Sequence, residues 1–315
     1  MRAVSILDPA RYIAEFARFA ATKSSQERHD QQALAELERR AIALPSGLEL
    51  TWLGVSGYRF DYEGHTLLID PYVSRVPLGA LIRRTPALPD ARLIDRYIGT
   101  PQCVGVLVGH THFDHAVDAP AIAKRLGCPA YGSGSLARLL RLHGAGEFAV
   151  EVVPYERYEL GPFTVSFTPS AHSKLLLGLA VPFDGALTCD HLDGLAPAAY
   201  RCGDVFGIHV EVAGVTFYHQ GSANLIDDAI THRGVDFFLA GVAGRGFTAS
   251  YWNRILRLLA PQTVIPTHYD DFFRPLSGEM GFTTNVNLAH VPDEVHAVSR
   301  DITVAALPLL GDRRR

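Results

Sequence analysis

Between positions 110 and 115 the chain reads His110-Thr111-His112-Phe113-Asp114-His115, four side chains able to ligate a metal within six residues. Three imidazoles and one carboxylate suit zinc or iron(II). If the segment is a turn, the alternate positions His110 and His112 can face one metal while Asp114 and His115 reach a second. The i, i+4 pairing of helical zinc motifs does not match this spacing. The plainer alternative is a polar turn whose histidines cap backbone groups, and the density of ligand types weighs against it. Divalent metals lower the pKa of bound water to about 7, producing hydroxide at neutral pH, and polarise carbonyl or phosphoryl oxygens. The implied chemistry is hydrolysis that requires no protein nucleophile. In agreement, the chain has no G-x-S-x-G elbow and no glycine-rich dinucleotide fingerprint, and Gly132-Ser133-Gly134-Ser135 reads as a loop and helix cap.

Such a cluster needs a rigid element to present it. Val104 to Val108 is almost wholly apolar, as expected of a strand covered on both faces, and runs directly into Gly109-His110. The histidines therefore belong at a strand's C-terminal end. Upstream, residues 1–46 read as a helical extension: Ile13, Phe16, Ala17 and Ala20 recur at helical spacing, as do Leu34, Leu37, Ala41 and Leu44. Residues 47–315 then form one α/β domain. Its short strands LELTWL, YRFDY and TLLID suit antiparallel hairpins. Helices are expected from Asp118 through Leu126 and from Ser135 to Leu142, with strands at AVEVV and FTVSF. After an irregular stretch, Pro182 to Gly203, come a hairpin turning at Ala213-Gly214, a helix over Leu225 to Thr231, the strand VDFFLA, a helix through Trp252 to Leu259 and the strand TVIP. Two β-then-α halves would face each other across a sheet sandwich with helices outside.

Composition excludes several other classes. The 315 residues are 48% hydrophobic and 20% charged, enough to build a large core. Net charge is -4 and basic residues concentrate only at Arg313, Arg314 and Arg315, so a nucleic-acid partner is not expected. No apolar run approaches the roughly 20 residues needed to span a bilayer. The start leads into Asp8-Pro9 without the apolar region of a signal peptide, giving a cytoplasmic location as the expectation. Cys103, Cys128, Cys189 and Cys202 show no C-x-x-C pairing and read as buried thiols.

The pattern H-x-H-x-D-H after an apolar strand resembles the metallo-β-lactamase superfamily, over about Leu50 to Leu276. TWLGVSGYRF and LLIDPY are similar to the opening strands of its branch containing ascorbate-phosphate lactonases and N-acyl-phosphatidylethanolamine-type phosphodiesterases. The resemblance implies a four-layer αββα sandwich holding two divalent metal ions, zinc or iron. It also implies a third ligand in Pro169-Ser170-Ala171-His172-Ser173 and a last one in Pro266-Thr267-His268-Tyr269. By the same resemblance, His110, His112 and His172 would bind the first metal, and Asp114, His115 and His268 the second. Asp70, in LLIDPY, is a candidate to receive a ligand imidazole N–H and so fix its tautomer.

One departure stands out. Where the family carries a Gly-Asp whose carboxylate bridges both metals, this chain has Gly221-Ser222. A hydroxyl is a poor substitute for that carboxylate, and Asp190, His191, His219 and Asn224 are candidates to replace it. His209, His29, His65, His143, His232, His290 and His296 lack partner spacing and read as exposed or satisfied residues.

In the expected reaction Asp114 is both ligand and orienter of the attacking water. The branch spans lactones, phosphodiesters, esters and thioesters. A phosphodiester benefits most from a tight two-metal clamp, whereas a thiolate, of pKa near 8.5, leaves with less help. The missing carboxylate therefore favours acyl-thioester hydrolysis, of a bulky acyl-CoA, over a lactonase, esterase or phosphodiesterase. A non-hydrolytic di-iron redox or metal-binding protein is the rival from another class. Against the redox rival stands the short length after His268, which leaves no room for the flavodoxin module of such relatives. The loops 71–99, 182–203 and 270–287, with Tyr72, Leu78, Leu81, Ile82, Phe183, Phe272, Phe273 and Phe282, are the expected walls for a hydrophobic small-molecule substrate. Arg83 and Arg84 read as solvated surface that could also meet phosphates.

Overall fold

The computed structural model describes the backbone of residues 9–175 and 178–311, and side chains from residue 23 onward. The side chains of Ile13, Phe16, Ala17 and Ala20, and Arg313 to Arg315, lie outside the described residues. Helix α1, Pro9–Leu37, leads into strands β1 (Glu49–Gly54), β2 (Gly57–Tyr62) and β3 (His65–Ile69). The segment between β3 and the next strand holds two short helices, α2 (Leu78–Arg83) and α3 (Ala91–Tyr97), where only a loop was expected. The Asp90 carboxylate accepts from Arg92 N and Leu93 N and so starts α3, a capping signal present in the sequence.

Strand β4, Cys103–Leu107, delivers the histidine cluster to helix α4 (Phe113–Ala116), followed by α5 (Ala119–Leu126), β5 (Ala130–Gly132), α6 (Gly134–Leu142) and β6 (Ala149–Glu151). Ser133 caps α6 by accepting from Leu136 N. Asp118 precedes α5 but does not cap it, because its carboxylate is turned to Val73 N, Ser74 N and Ser74 Oγ. The second half runs β7 (Arg157–Leu160), β8 (Phe163–Pro169), β9 (Phe206–Val212), β10 (Val215–Gln220), β11 (Phe237–Gly241), α7 (Tyr251–Leu259), β12 (Thr263–Thr267), α8 (Val291–His296) and β13 (Thr303–Val304). The helix expected over 225–231 is only a single 3-10 turn, Asp227–Ala229. There the Arg254 guanidinium grips the Asp227 carboxylate and the Leu225 carbonyl, which fixes a bend in place of a helical ladder.

These strands make two mixed sheets, β1-β2-β3-β4-β5-β6 and β13-β12-β11-β10-β9-β8-β7. The first is antiparallel through β3 and parallel from there to β6. The second is antiparallel from β7 to β10 and parallel from β10 to β13. Between them Phe60 meets Phe217 edge to face at 5.0 Å, and Tyr58 meets His219 at 5.9 Å. Each such buried aromatic removes enough apolar surface to stabilise by about 1.5–3 kcal/mol. Helices α5 and α6 pack on the first sheet. Helix α7 buries Tyr251, Trp252, Ile255, Leu256 and Leu259 along one face. The result is an α/β sandwich whose parallel strands, β4 and β12 among them, end at one edge, where crossover geometry leaves room for a site.

Candidate metal centre

The site is built at strand ends. His110 follows β4, His112 to His115 start α4, His172 lies in the turn after β8, and His268 follows β12. The backbone pays for this placement at two residues in the left-handed region, Asp70 (φ +42°) and His268 (φ +61°). Strain of that kind costs on the order of 1–3 kcal/mol per residue and must be held by neighbours. His268 is held by its N–H, which donates to the Val55 carbonyl at 2.7 Å. Asp70 is held through its side chain: Oδ1 accepts from Gly109 N at 2.8 Å and Oδ2 from His115 Nδ1 at 2.7 Å.

The structure brings six side chains into two trios, His110/His112/His172 and Asp114/His115/His268, with the donor atoms of each trio within 4.8 Å of one another. In four of them hydrogen bonds or ion pairs fix which atom faces inward. His112 Nε2 donates to the Pro182 carbonyl at 2.8 Å and His172 Nδ1 to the Ser173 carbonyl at 2.7 Å. That leaves His112 Nδ1 and His172 Nε2 as lone-pair donors. His115 spends Nδ1 on Asp70, so its Nε2 points toward Asp114 Oδ2, 3.8 Å away. His268 Nε2 lies 3.3 Å from the same oxygen.

Electrostatics follow from this crowding. Burial pushes the His110, His112 and His172 imidazoles below their usual range, His172 to about 3, and the neighbouring imidazoles add to the effect. Burial alone would raise the Asp114 carboxyl, but His115 and His268 outweigh it and hold the group well below the usual carboxylate range. His115 moves the other way: burial lowers it, and the Asp70 and Asp114 carboxylates more than offset that. Buried polar atoms are normally satisfied. Yet His110 Nε2 and His268 Nδ1 are buried with no hydrogen-bond partner. Unprotonated imidazoles, the orphaned His110 Nε2 and the Asp114 carboxylate, gathered in two adjoining trios, fit divalent cations.

Ser222 lies at the edge of this cluster, but its hydroxyl is engaged elsewhere. It accepts from Ser173 N at 2.9 Å and lies 3.3 Å from Ser173 Oγ. The four candidate substitutes for the bridging carboxylate fall outside both trios. Asp190 and His191 pair with each other at 2.7 Å on the exposed surface. His219 is buried behind Asp70 and meets the Ser56 carbonyl at 2.8 Å. The Asn224 amide donates to the His172 carbonyl at 3.1 Å, a positioning contact. Gly221 is required by space alone, since a Cβ there would meet Asp70 Oδ2 at 3.0 Å and His115 Cε1 at 3.2 Å.

The site opens into a cavity of about 1090 Å³. Of the expected walls, Leu81, Phe183, Phe272 and Phe273 line it. Tyr72 is instead buried against Phe113, Phe282 is buried against Tyr269, and Leu78 and Ile82 face solvent. Sequence reasoning missed other parts of the lining, among them Ser25, Gln26, His29 and Asp30 of α1, His290, Glu294 and the turn 242–247. None of the α1 residues carries a spacing signal; the glycines at 241, 244 and 246 were the one available hint.

An α/β sandwich of two mixed sheets with convergent histidines at its strand ends defines a metal-dependent hydrolase class. Residues 49–268 match the beta-lactamase superfamily domain, and the chain belongs to that superfamily. A metal-dependent hydrolase of Cereibacter sphaeroides is 28% identical over 229 residues, covering 71% of this chain and 87% of the relative. One from Carboxydothermus hydrogenoformans is 28% identical over 228 residues, covering 71% and 85%. Among solved structures, a metallo hydrolase of Ignicoccus hospitalis superposes with a TM-score of 0.51 at 18% identity, covering 84% of this chain and 96% of that one. A diiron beta-hydroxylase of Streptomyces venezuelae gives a TM-score of 0.56 at 15% identity, covering 85% and 54%. These two show the fold. Among the described residues, no helix is long and apolar enough to cross a membrane.

Proposed function

We propose that the chain is a two-metal hydrolase in which His110, His112 and His172 hold one divalent ion and Asp114, His115 and His268 the other, and that its substrate is an acyl thioester. When bound, such ions supply an acidified water and polarise the acyl carbonyl. The chain's own residues do the remainder. Asp114, fixed between His115 and His268, orients the attacking water by accepting one of its hydrogens. Asp70 keeps His115 in the tautomer that presents Nε2. Phe183, packed 6.4 Å from His112, and Phe272, 5.7 Å from His268, keep bulk water from the acyl carbon. The water oxygen bonds to the carbonyl carbon, the carbon–sulfur bond breaks, and the water's proton ends on the departing thiolate.

The observation that carries the thioester reading is Ser222. A neutral hydroxyl, already engaged with Ser173, stands where the family resemblance puts a bridging carboxylate. The trios therefore lack the anionic tie that tightens a two-metal clamp on a poor leaving oxygen, and a thiolate makes the smallest demand on that clamp. The aromatic wall beside Asp114 supports a bulky apolar acyl group. The test compares decanoyl-CoA, p-nitrophenyl decanoate and bis-p-nitrophenyl phosphate on zinc- and iron-loaded protein. Decanoyl-CoA should give the highest kcat/KM. Faster cleavage of the phosphodiester or the oxygen ester replaces the thioesterase reading with that activity. Cleavage of none makes a non-hydrolytic metal-binding protein the better account.

A further inference from the structure

The histidines of the two trios are not held alike. His112, His115 and His172 each have the ring nitrogen that faces away from the trio bonded to a carbonyl or to Asp70. His268 has no such tie: its Nδ1 is buried with no hydrogen-bond partner, and Nε2 is the atom facing Asp114. Apart from ring contacts with His115 and Phe272, the place of this imidazole rests on its backbone. That backbone is in the left-handed region, at φ +61°, and its N–H donates to the Val55 carbonyl at 2.7 Å.

Val55 is a poor anchor on its own. It stands in the turn between β1 and β2, fully buried, with φ +51°, a conformation that a β-branched residue adopts only when its surroundings impose it. Its carbonyl accepts from His268 N, from Thr267 Oγ1 and, at 3.1 Å, from Trp52 Nε1. Its N–H donates to Asp270 Oδ1 at 2.8 Å. Both polar backbone groups of Val55 are thus bonded to the segment 267–270, which carries His268.

Asp270 is in turn fixed by Arg75. Nη1 meets Asp270 Oδ2 at 2.7 Å with both side chains buried, and Nη2 reaches the Leu53 carbonyl at 3.4 Å. The guanidinium fills the space that a side chain at position 54 would need, since a Cβ on Gly54 would lie 1.7 Å from Nη2. A buried ion pair adds little to stability compared with apolar residues of the same volume, so stability alone does not account for charges here. What the planar fork does is geometric: with one nitrogen on Asp270 and the other on the strand before Val55, it sets the angle of the carboxylate toward the Val55 N–H. Arg75 belongs to the segment after Asp70, which Asp118 holds through Val73 N and Ser74 N at 2.7 and 2.8 Å. Asp118 follows His115 by three residues, so this run of contacts joins the two elements on which the second trio is built.

Resting on the two-metal reading above, we propose that the buried Arg75–Asp270 pair is the positioning device of the second metal site: it holds Val55 in its left-handed conformation and so places His268 against Asp114 and His115.

The test reads metal affinity, not turnover. The full chain is loaded with cobalt(II) and titrated with a chelator, and the ion lost in His268→Ala defines the second site. Arg75→Met combined with Asp270→Leu removes both charges together, so that neither is left buried alone. This double variant should weaken the second ion about tenfold and leave the first within twofold. Arg75→Lys keeps the charge, loses the fork, and should weaken the same ion about threefold; it carries the test if the double variant does not fold. Adding Val55→Gly to the double variant should recover most of the lost affinity, because glycine adopts φ near +50° without strain, and a role in stability alone gives no such recovery. Unchanged affinities in the folded variants, equal weakening of both ions, or no recovery with Val55→Gly overturns the positioning role alone. A wild-type chain that takes up fewer than two ions overturns the two-metal reading, and this proposal with it.

Discussion

Two groups of histidines in this molecule are buried to similar degrees and differ in everything that matters for chemistry. At the strand ends, His110, His112, His115, His172 and His268 surround Asp114, with outward nitrogens tied to carbonyls or to Asp70 where a tie is present. On the second sheet, on the face opposite His219, His209 and His232 stack with ring centroids 3.7 Å apart and planes within 5°. His209 faces Glu211 at 3.8 Å and His232 Nε2 contacts Ser166 Oγ at 3.3 Å. Stacked rings direct their nitrogens past each other, whereas the trios direct theirs at a point. Convergence of unpartnered nitrogens, more than a count of histidines, separates a metal site from a packed aromatic pair.

The largest consequence should appear at the one carboxylate inside the trios. Asp114→Asn keeps the side-chain shape and removes the charge proposed to orient water, so kcat should fall by about 10³ with a much smaller change in KM. Steady-state kinetics at saturating metal read the split. A raised KM with kcat unchanged would make Asp114 a binding residue only. Next in size is Asp70. Asp70→Asn loses the anionic acceptor for His115 Nδ1, and metal affinity at the second trio should weaken by about 10–100-fold. Competition with a chelator should show one class of sites weakened and the other retained. Uniform weakening of both would mean that Asp70 serves the whole fold. By contrast, His232→Gln should leave metal content as it is.

The sequence made the trios legible because their six residues lie at strand ends in an order that the superfamily shares. His110 to His115 announce themselves by density, and His172 and His268 by resemblance. Asp70 was legible as a carboxylate ending a strand. The α1 side of the cavity was not, because α1 reaches it only through tertiary packing on residues 288–290, and a helix face shows no sign of what it will cover. The expected helix over 225–231 failed for a similar reason: Arg254 comes from a helix more than twenty residues away. Short strands such as β7 and β13 carry too few residues for a period of two to register.

Ser222 gives a smaller effect and a sharper one. In the sequence its hydroxyl reads as a poor substitute for the bridging carboxylate; in the structure it satisfies the buried Ser173 N–H next to His172. Ser222→Ala strands that donor at a cost of about 1–3 kcal/mol. Thermal stability should drop while the second trio keeps its metal. Ser222→Asp can still accept from Ser173 and adds the missing negative charge, so chelator resistance should rise. If the alanine variant loses metal from both trios, the hydroxyl is itself a ligand.

The smallest effect belongs to the stacked pair, and it tests the comparison from the other side. Burial, with its partner imidazole second, pushes His209 down to about 4, and burial likewise lowers His232. The groups facing them are Glu211, which favours the protonated rings, and Arg157, which opposes them; Ser166 and Tyr218 complete the surroundings. A histidine whose folded pKa lies below its unfolded value takes up protons more readily when unfolded. The stability from keeping this pair unprotonated is therefore present above pH 6.5 and is lost as pH falls from there toward about 4. His232→Gln removes one titrating ring and one like-charge neighbour, so the drop in Tm between pH 7 and pH 5 should shrink by on the order of 2 °C. Measured on metal-loaded protein, where ligand imidazoles are committed to metal, this difference isolates the pair. A pH profile identical to wild type would mean that the stacked rings already share a proton with Glu211, and the contrast between convergent and stacked histidines would then rest on geometry alone.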